Sequence, residues 1–97
     1  MVKGYWVVSY KKIKDQQKVD AYAKLAGAAV AAGGGRFVAR GVAAKAYELG
    51  VLQRTTVVEF DSVEKAIHCR DGEAYRHALE ALGDAVERDF RIVQGAE

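Results

Sequence analysis

The sequence has no proline and only one cysteine, one methionine and one tryptophan among its 97 residues. The single cysteine, Cys69, excludes an internal disulfide, and a lone thiol is typical of proteins from a reducing compartment. No long apolar run is present at the start of the chain, because "GYWVVSY" is too short and too polar for a signal peptide or a membrane span. We therefore expect a cytoplasmic protein that has no membrane partner.

An excess of charge of one sign is also missing. The formal net charge is only +2, and the basic residues cluster nowhere except at Lys11, Lys12 and Lys14. A nucleic-acid-binding protein usually carries a denser basic stripe, so we expect no nucleic-acid partner. With 51% hydrophobic and 29% charged residues the composition is globular, and the length predicts a single domain over residues 1–97. The core of so short a chain is modest, so association would stabilise it.

Residues that hold metals or act as nucleophiles are too few and too scattered to form a site. His68 and His77 have no cysteine or histidine partner at ligand spacing, and the helical pattern places both on a solvated side. Cys69 lacks the strongly cationic surroundings that activate a thiol, so we expect it to be packed and inert. The sequence therefore predicts no metal, no haem and no other cofactor.

The stretch "GGGRFVARG", residues 33–41, raises the question of a phosphate-binding loop. Such a loop needs a strand, then glycines, then a helix, so that the amides at the helix N-terminus point at the anion. Here the order is reversed, because the alanine-rich segment before the glycines is helical and the residues after them favour a strand. The glycines therefore indicate the end of a helix rather than a nucleotide site.

Periodicity and capping residues divide the chain into strands and helices. Asp15 is the predicted N-cap of the first helix, and Asp61 and Glu64 form a capping-box-like pair at the start of the second. Asp71-Gly72 breaks or kinks that second helix. The predicted order is a strand at 4–10, a helix from 15 to the glycines, a strand at 36–49 with a bulge near 41, a turn at 50–53, a strand at 54–60, a helix from 61, and a strand at 89–95. This order predicts an α+β ferredoxin-like βαββαβ sandwich, a four-stranded antiparallel sheet with two helices on one face.

Each predicted strand divides into two alternating sets of side chains, one for each face of the sheet. The aromatic and aliphatic sets should lie under the helices: Trp6, Val8 and Tyr10; Phe37 and Ala39; Thr56, Val58 and Phe60; Phe90 and Ile92. The opposite sets keep an apolar spine of valines but also carry Ser9, Arg36, Arg40, Glu59 and Arg91. A face open to water would be polar throughout, so we predict that a second copy covers it, sheet against sheet, in a homodimer.

Four charged residues of this second face form the candidate ligand site: Arg36, Arg40, Glu59 and Arg91. Together they sum to +2, and an enclosed excess of positive charge requires an anion, such as a carboxylate held by a guanidinium group. Glu59 or Tyr5 could then accept or donate a proton. The alternative is that the arginines pair with Glu48 and Glu59, within one chain or across the dimer, and serve assembly only.

Four segments in the same order resemble the domain-of-unknown-function 1330 family: "KGYWVV", "GGRFVARG", "RTTVVEFDSVEKAIHC" and "RIVQG". The resemblance spans nearly the whole chain. It implies a ferredoxin-like fold of the dimeric α/β-barrel superfamily, whose members include cofactor-free monooxygenases, muconolactone isomerase and haem-dependent chlorite dismutase. After its second-helix cysteine the family tends to show an aromatic residue and then Ser-Pro-Glu-Tyr, whereas this chain has Arg70-Asp71-Gly72-Glu73-Ala74-Tyr75 and keeps only the tyrosine.

Two functional hypotheses follow from these observations. The first is a small homodimer that binds or converts a compact anionic or aromatic metabolite between sheet and helices, without a cofactor. The second is a non-catalytic interaction module whose arginines join two subunits. Trp6, Tyr22 and Tyr75 line a pocket under the first hypothesis, although aromatic residues at such positions more often only fill the core.

Overall fold

The computed structural model describes residues 2–96, so Met1 and Glu97 of the predicted domain lie outside the described residues. The elements within this range are β1 (Gly4–Ile13), α1 (Gln16–Ala32), β2 (Arg36–Val42), β3 (Arg54–Phe60), α2 (Val63–Asp71), α3 (Glu73–Leu82) and β4 (Val86–Gln94). The strands form one antiparallel sheet in the order β2-β3-β1-β4. This is the predicted ferredoxin-like α+β plan, with the second predicted helix divided into two.

Helix α1 begins and ends where the sequence indicates. The side chain of Asp15 caps it by accepting a hydrogen bond from the backbone N–H of Lys18 at 3.3 Å. Beyond its last residue the chain turns at Gly34, whose φ of +83° is left-handed and favours glycine. A Cβ atom at Gly35 would lie 2.6 Å from the ring of Phe60. The glycines therefore end the helix and let the chain pass close to the core, as predicted.

The connection between β2 and β3 differs from the prediction. Strand β2 ends at Val42 rather than at residue 49, and residues 43–53 form a loop that the hydrogen bond from Ala43 N–H to the Gln53 carbonyl closes at 3.1 Å. The segment after Val42 is rich in alanine, which has little preference for strands. Glu48 has a φ of 54°, which is incompatible with an extended strand.

In the second half of the chain, the predicted N-cap of the second helix is wrong and the predicted break in that helix is confirmed. Ser62, not Asp61, caps α2, because its hydroxyl accepts from the backbone N–H of Lys65 at 3.1 Å. Asp61 lies outside the helix and forms an ion pair with the Lys65 ammonium at 3.6 Å. Helix α2 ends at Asp71 and α3 begins at Glu73, as predicted from Asp71-Gly72. Strand β4 begins at Val86, earlier than the predicted residue 89.

The core lies between the sheet and the three helices and is built around Trp6. Its ring packs against Phe60, Tyr75 and Phe90 at centroid distances of 5.0, 4.9 and 5.2 Å, and its indole N–H donates to the Ala66 carbonyl at 2.8 Å. Cys69 is buried as expected, and burial raises the pKa of its thiol. His68 and His77 are exposed, also as expected.

Candidate functional site

The face of the sheet that points away from the helices is called here the open face. It carries the second set of alternating side chains: Tyr5, Val7, Ser9, Thr55, Val57, Glu59, Asp89, Arg91 and Val93. Several apolar groups remain accessible on or beside it, including Val38, which is 53% exposed, and Val93, which is 49% exposed. The open face thus combines an apolar spine with charged groups, as the alternation of the strands predicts.

Glu59 is the centre of a closed polar group on the open face. The Tyr5 hydroxyl donates to Glu59 Oε2 at 2.7 Å, and the Arg36 guanidinium forms an ion pair with Glu59 Oε1. The hydrogen bond from Tyr5, together with the nearby Arg36, holds the pKa of Glu59 below its usual value. The same hydrogen bond raises the pKa of Tyr5. Three of the predicted site residues therefore meet, and their charges already balance.

Arg91 lies on the open face but does not join this group. It is opposite Val7 in the register between β1 and β4, and its side chain is 77% exposed. Its guanidinium donates to both carboxylate oxygens of Asp89, at 2.9 and 3.2 Å. The predicted cluster of Arg36, Glu59 and Arg91 is therefore incomplete in this chain.

The prediction that Arg36 and Arg40 share a face is wrong, because strand β2 has a β-bulge at Val38. Phe37 and Ala39 are two residues apart in β2, yet they pair with adjacent residues of β3. One extra residue in a strand exchanges the faces of all the side chains that follow it. Alternation counted along the sequence alone therefore assigns the wrong face to every β2 residue beyond the bulge.

The bulge reverses two of the predicted orientations. Ala39, expected under the helices, is opposite Val57 of the open face. Arg40, expected on the open face, is opposite Thr56, a buried residue on the helix side. Its guanidinium stacks on the ring of Phe37 at 4.3 Å. Arg40 is thus separated by the sheet from the other residues of the predicted site.

Arg40 lies beside a pocket between α1 and the sheet, called here the helix-side cleft. Its walls come from α1, β1, β2 and β3, and Tyr75 of α3 also lines it. The volume of the cleft is about 20 Å³, which is room for one or two oxygen-sized groups. The residues that carry its chemistry are Tyr10, Tyr22, Arg40, Arg54, Thr56 and Tyr75.

Three tyrosine hydroxyls of the cleft converge on Arg88. The Arg88 Nη1 donates to Tyr10 at 3.0 Å and to Tyr22 at 3.1 Å, and Nη2 reaches Tyr75 at 3.5 Å. Tyr22 and Tyr75 also share a hydrogen bond with each other. Burial, together with the adjacent Tyr75, raises the pKa of Tyr22 to about 12, so this hydroxyl keeps its proton at neutral pH.

Arg54 also lines this cleft. It lies in the helix-side alternation of β3, two residues before Thr56, and its guanidinium is 5.8 Å from the ring of Tyr10. Its Nε is buried and has no hydrogen-bond partner within residues 2–96. A buried donor without an acceptor costs free energy, and most such groups in proteins have a partner.

Arg54 and Arg88 are site residues that the sequence reasoning does not find. Arg54 precedes Thr56 in the helix-side alternation of β3, so continuing that set by one step would identify it. Arg88 is in phase with Phe90, but the predicted last strand begins after it. Tyr22 and Tyr75, in contrast, are predicted as residues of a core or a pocket, and they belong to both.

Two further classes of site have no counterpart in the part of the chain that the structure describes. No group of three or more histidine, cysteine, aspartate or glutamate side chains is placed to hold a metal ion there. None of the helices between residues 2 and 96 is long and apolar enough to cross a membrane.

A four-stranded antiparallel sheet covered on one side by helices, with a small polar cleft beneath the first helix, defines the class as ferredoxin-like. Residues 3–96 match the family described as Domain of unknown function (DUF1330), and the chain belongs to that family. No curated protein is similar enough to match the chain.

Solved structures share the fold at low sequence identity. A protein of unknown function from Rhodopseudomonas palustris is 14% identical, with a TM-score of 0.76 over 99% of this chain and 84% of that one. A dimeric ferredoxin-like protein of unknown function from Thermobifida fusca is 18% identical, with a TM-score of 0.63 over 99% and 92%. A candidate antibiotic biosynthesis monooxygenase from Caulobacter crescentus is 16% identical, with a TM-score of 0.61 over 99% and 91%. At these identities the likeness shows the fold alone.

Proposed function

We propose that the chain is a homodimer that binds a small metabolite in the helix-side cleft of each protomer and needs no cofactor to do so. The observation that carries this proposal is the buried, unpartnered Nε of Arg54 in a cleft with three tyrosines. Apolar walls with a few convergent polar groups are the lining that small-molecule sites share, and the cleft has this lining. The proposal keeps the predicted position between sheet and helices, but of the predicted site residues it retains only Arg40.

The open face is assigned to assembly. Val7, Val57 and Val93 form its apolar spine, and the adjacent loop exposes Leu49 and Tyr47, which are 97% and 73% accessible. A second copy related by a two-fold axis would cover these groups with their own equivalents. The dimeric state of the Thermobifida fusca protein, which has the same fold, supports this assignment.

Conversion of the ligand would rely on the tyrosines. A neutral hydroxyl next to a bound oxyanion can donate a hydrogen bond or a proton to it, and Arg88 holds Tyr10 and Tyr22 in fixed positions for that role. Cofactor-free oxygenation or isomerisation of an enolisable substrate builds negative charge on oxygen and would use the same groups. The Caulobacter crescentus protein, a candidate monooxygenase of this fold, supports a reaction of that class.

The second candidate function is that the arginines serve dimer assembly alone. One observation favours it for Arg36: this side chain lies on the open face and already pairs with Glu59. It does not extend to Arg40 and Arg54, which line the cleft on the other side of the sheet. Arg36 is therefore assigned to the interface, and the two cleft arginines to the ligand.

The fluorescence of Trp6 provides the test, since it is the single tryptophan and lines the cleft. We expect at least one of phenol, benzamide and benzoate to cause a saturable change in its emission. Ala23→Phe adds to the cleft wall a ring that is larger than the cleft, so it should block the cleft and abolish that change, while circular dichroism verifies that the fold is retained. Ala28→Phe adds the same ring to an exposed position of α1 and should leave it intact. A response that survives in Ala23→Phe, or no saturable response to any of the three compounds, would reject the proposal.

A further inference from the structure

We infer that the helix-side cleft selects an anion with paired acceptor oxygens, in the first place a carboxylate, and that Arg54 with Arg40 determines this selectivity. This inference rests on the proposed function and specifies its ligand. It differs from the carboxylate site expected on the open face, because the residues that form it, apart from Arg40, are different.

The first argument is the balance of hydrogen-bond donors and acceptors. Arg88 can only donate, so the tyrosine oxygens that it contacts act as acceptors there and keep their own protons. Three hydroxyls supply three protons, and the bond between Tyr22 and Tyr75 uses one of them. The other two O–H groups have no acceptor among residues 2–96, and neither does the buried Nε–H of Arg54. The tyrosines and Arg54 therefore carry more donors than residues 2–96 supply acceptors for, and a ligand rich in acceptors would satisfy them.

The second argument is charge. Two arginines line the cleft and Arg88 lies directly behind its tyrosines, whereas none of the lining residues is acidic. Within the described chain, no carboxylate forms an ion pair with Arg40, Arg54 or Arg88. Arg40 is exposed at the edge of the cleft, but Arg54 and Arg88 are half-buried. Two half-buried cations without an anionic partner in one region indicate that the partner is a ligand.

The third argument is size and shape. The enclosed space of about 20 Å³ accommodates the head of a ligand but not its body. A carboxylate places two oxygens in one plane, which matches the planar fork of a guanidinium group. The body of the ligand would then lie toward the open end of the cleft, where Arg40 and Phe37 already form a stacked pair at 4.3 Å. A planar, preferably aromatic, carboxylate fits these features together.

Three probes of one shape and different charge test the inference: benzoate, benzamide and benzamidinium. We expect calorimetric titration of the full chain at neutral pH to give a dissociation constant for benzoate about tenfold or more below that for benzamide, because hydrogen bonds to charged groups are the stronger ones. Benzamidinium should not bind. Raising the salt concentration should weaken benzoate and leave benzamide unchanged.

Variants then assign the selectivity to named residues. Arg54→Gln should reduce benzoate affinity by about tenfold and bring the ratio of benzoate to benzamide close to one, while Arg54→Lys should restore part of the preference for the anion. Arg91→Gln removes the same charge from the open face and should change neither value. Circular dichroism of each variant verifies that the fold is retained.

The failures of the two proposals are distinguishable. If benzamide binds as tightly as benzoate and Ala23→Phe blocks both, the cleft is a ligand site but the anion selectivity is rejected. The selectivity is also rejected if Arg91→Gln weakens benzoate as much as Arg54→Gln does, since the effect is then one of net charge. If none of the compounds binds, both the selectivity and the proposed function are rejected.

Discussion

The two faces of the sheet each bring an arginine next to tyrosine, but only the open face supplies a carboxylate. There, Glu59 accepts from Tyr5 and pairs with Arg36, so each of these charges has its partner within the chain. On the helix side, Arg88 contacts three tyrosine hydroxyls and, among residues 2–96, no acid. The difference shows that the presence of arginine does not identify a ligand site. The absence of an anionic partner for it is the informative feature.

The largest effect is expected from placing a charge on the open face. Val57→Asp puts a carboxylate in the apolar spine beside Val7, where the proposed second copy would bury it without a partner. A buried unpaired charge costs about 3–5 kcal/mol, so sedimentation should show a monomer for this variant and the proposed dimer for the natural chain. Ala28→Asp, on the exposed side of α1, should remain dimeric. A dimer that withstands Val57→Asp would mean that the open face is not the interface.

An intermediate effect is expected from the hydroxyls of the helix side at high pH. The pKa of Tyr22 is raised from 10.0 to about 12 on folding, mainly by burial. The folded state thus holds this proton more tightly, and its contribution is full below pH 10 and is lost as the pH rises toward 12. Over that window the natural chain should lose about 2–3 kcal/mol more stability than Tyr22→Phe, as measured by urea unfolding. Parallel loss in both proteins would contradict the assignment.

The smallest effect is a change in the free energy of unfolding, and its sign should differ between an arginine of the helix side and an arginine of the open face. Arg54→Met removes a buried donor that has no partner among residues 2–96, so the free energy of unfolding without ligand should rise by about 1 kcal/mol. Arg36→Met removes the cation that Glu59 already uses and should lower it. Urea unfolding of the two variants measures both changes. If both arginines stabilise the chain without ligand, the helix side is a structural cluster rather than a binding site.

Much of the fold is predictable because it depends on local periodicity. The bounds predicted for β3 are the observed ones, and Trp6, Val8 and Tyr10 lie on the buried face to which alternation assigns them. Both ends of α1 are also predictable, because the N-cap Asp15 and the glycines after the last turn are signals carried by adjacent residues.

The candidate site is less predictable because it depends on register. Simple alternation predicts that the closed polar group of Tyr5, Arg36 and Glu59 lies on one face of the sheet. The position of Arg40 does not, since the bulge at Val38 is a property of the pairing with β3 and has no local signal in β2. The role of Arg88 is not predicted for a related reason: the predicted last strand begins after it, and strand ends are the least certain part of a prediction from periodicity.

Because of the bulge at Val38, β2 can lose one residue without any change in the faces to which its other side chains point. Phe37 and Ala39 already face consecutive residues of β3, so a chain that lacked Val38 would pair the same partners in a regular ladder. A one-residue deletion at this point would leave Arg40 on its present side, whereas a deletion between Ala39 and Val42 would reassign the residues beyond it. Strand β2 therefore contains one position at which the loss of a residue is expected to leave the cleft side chains on their present side.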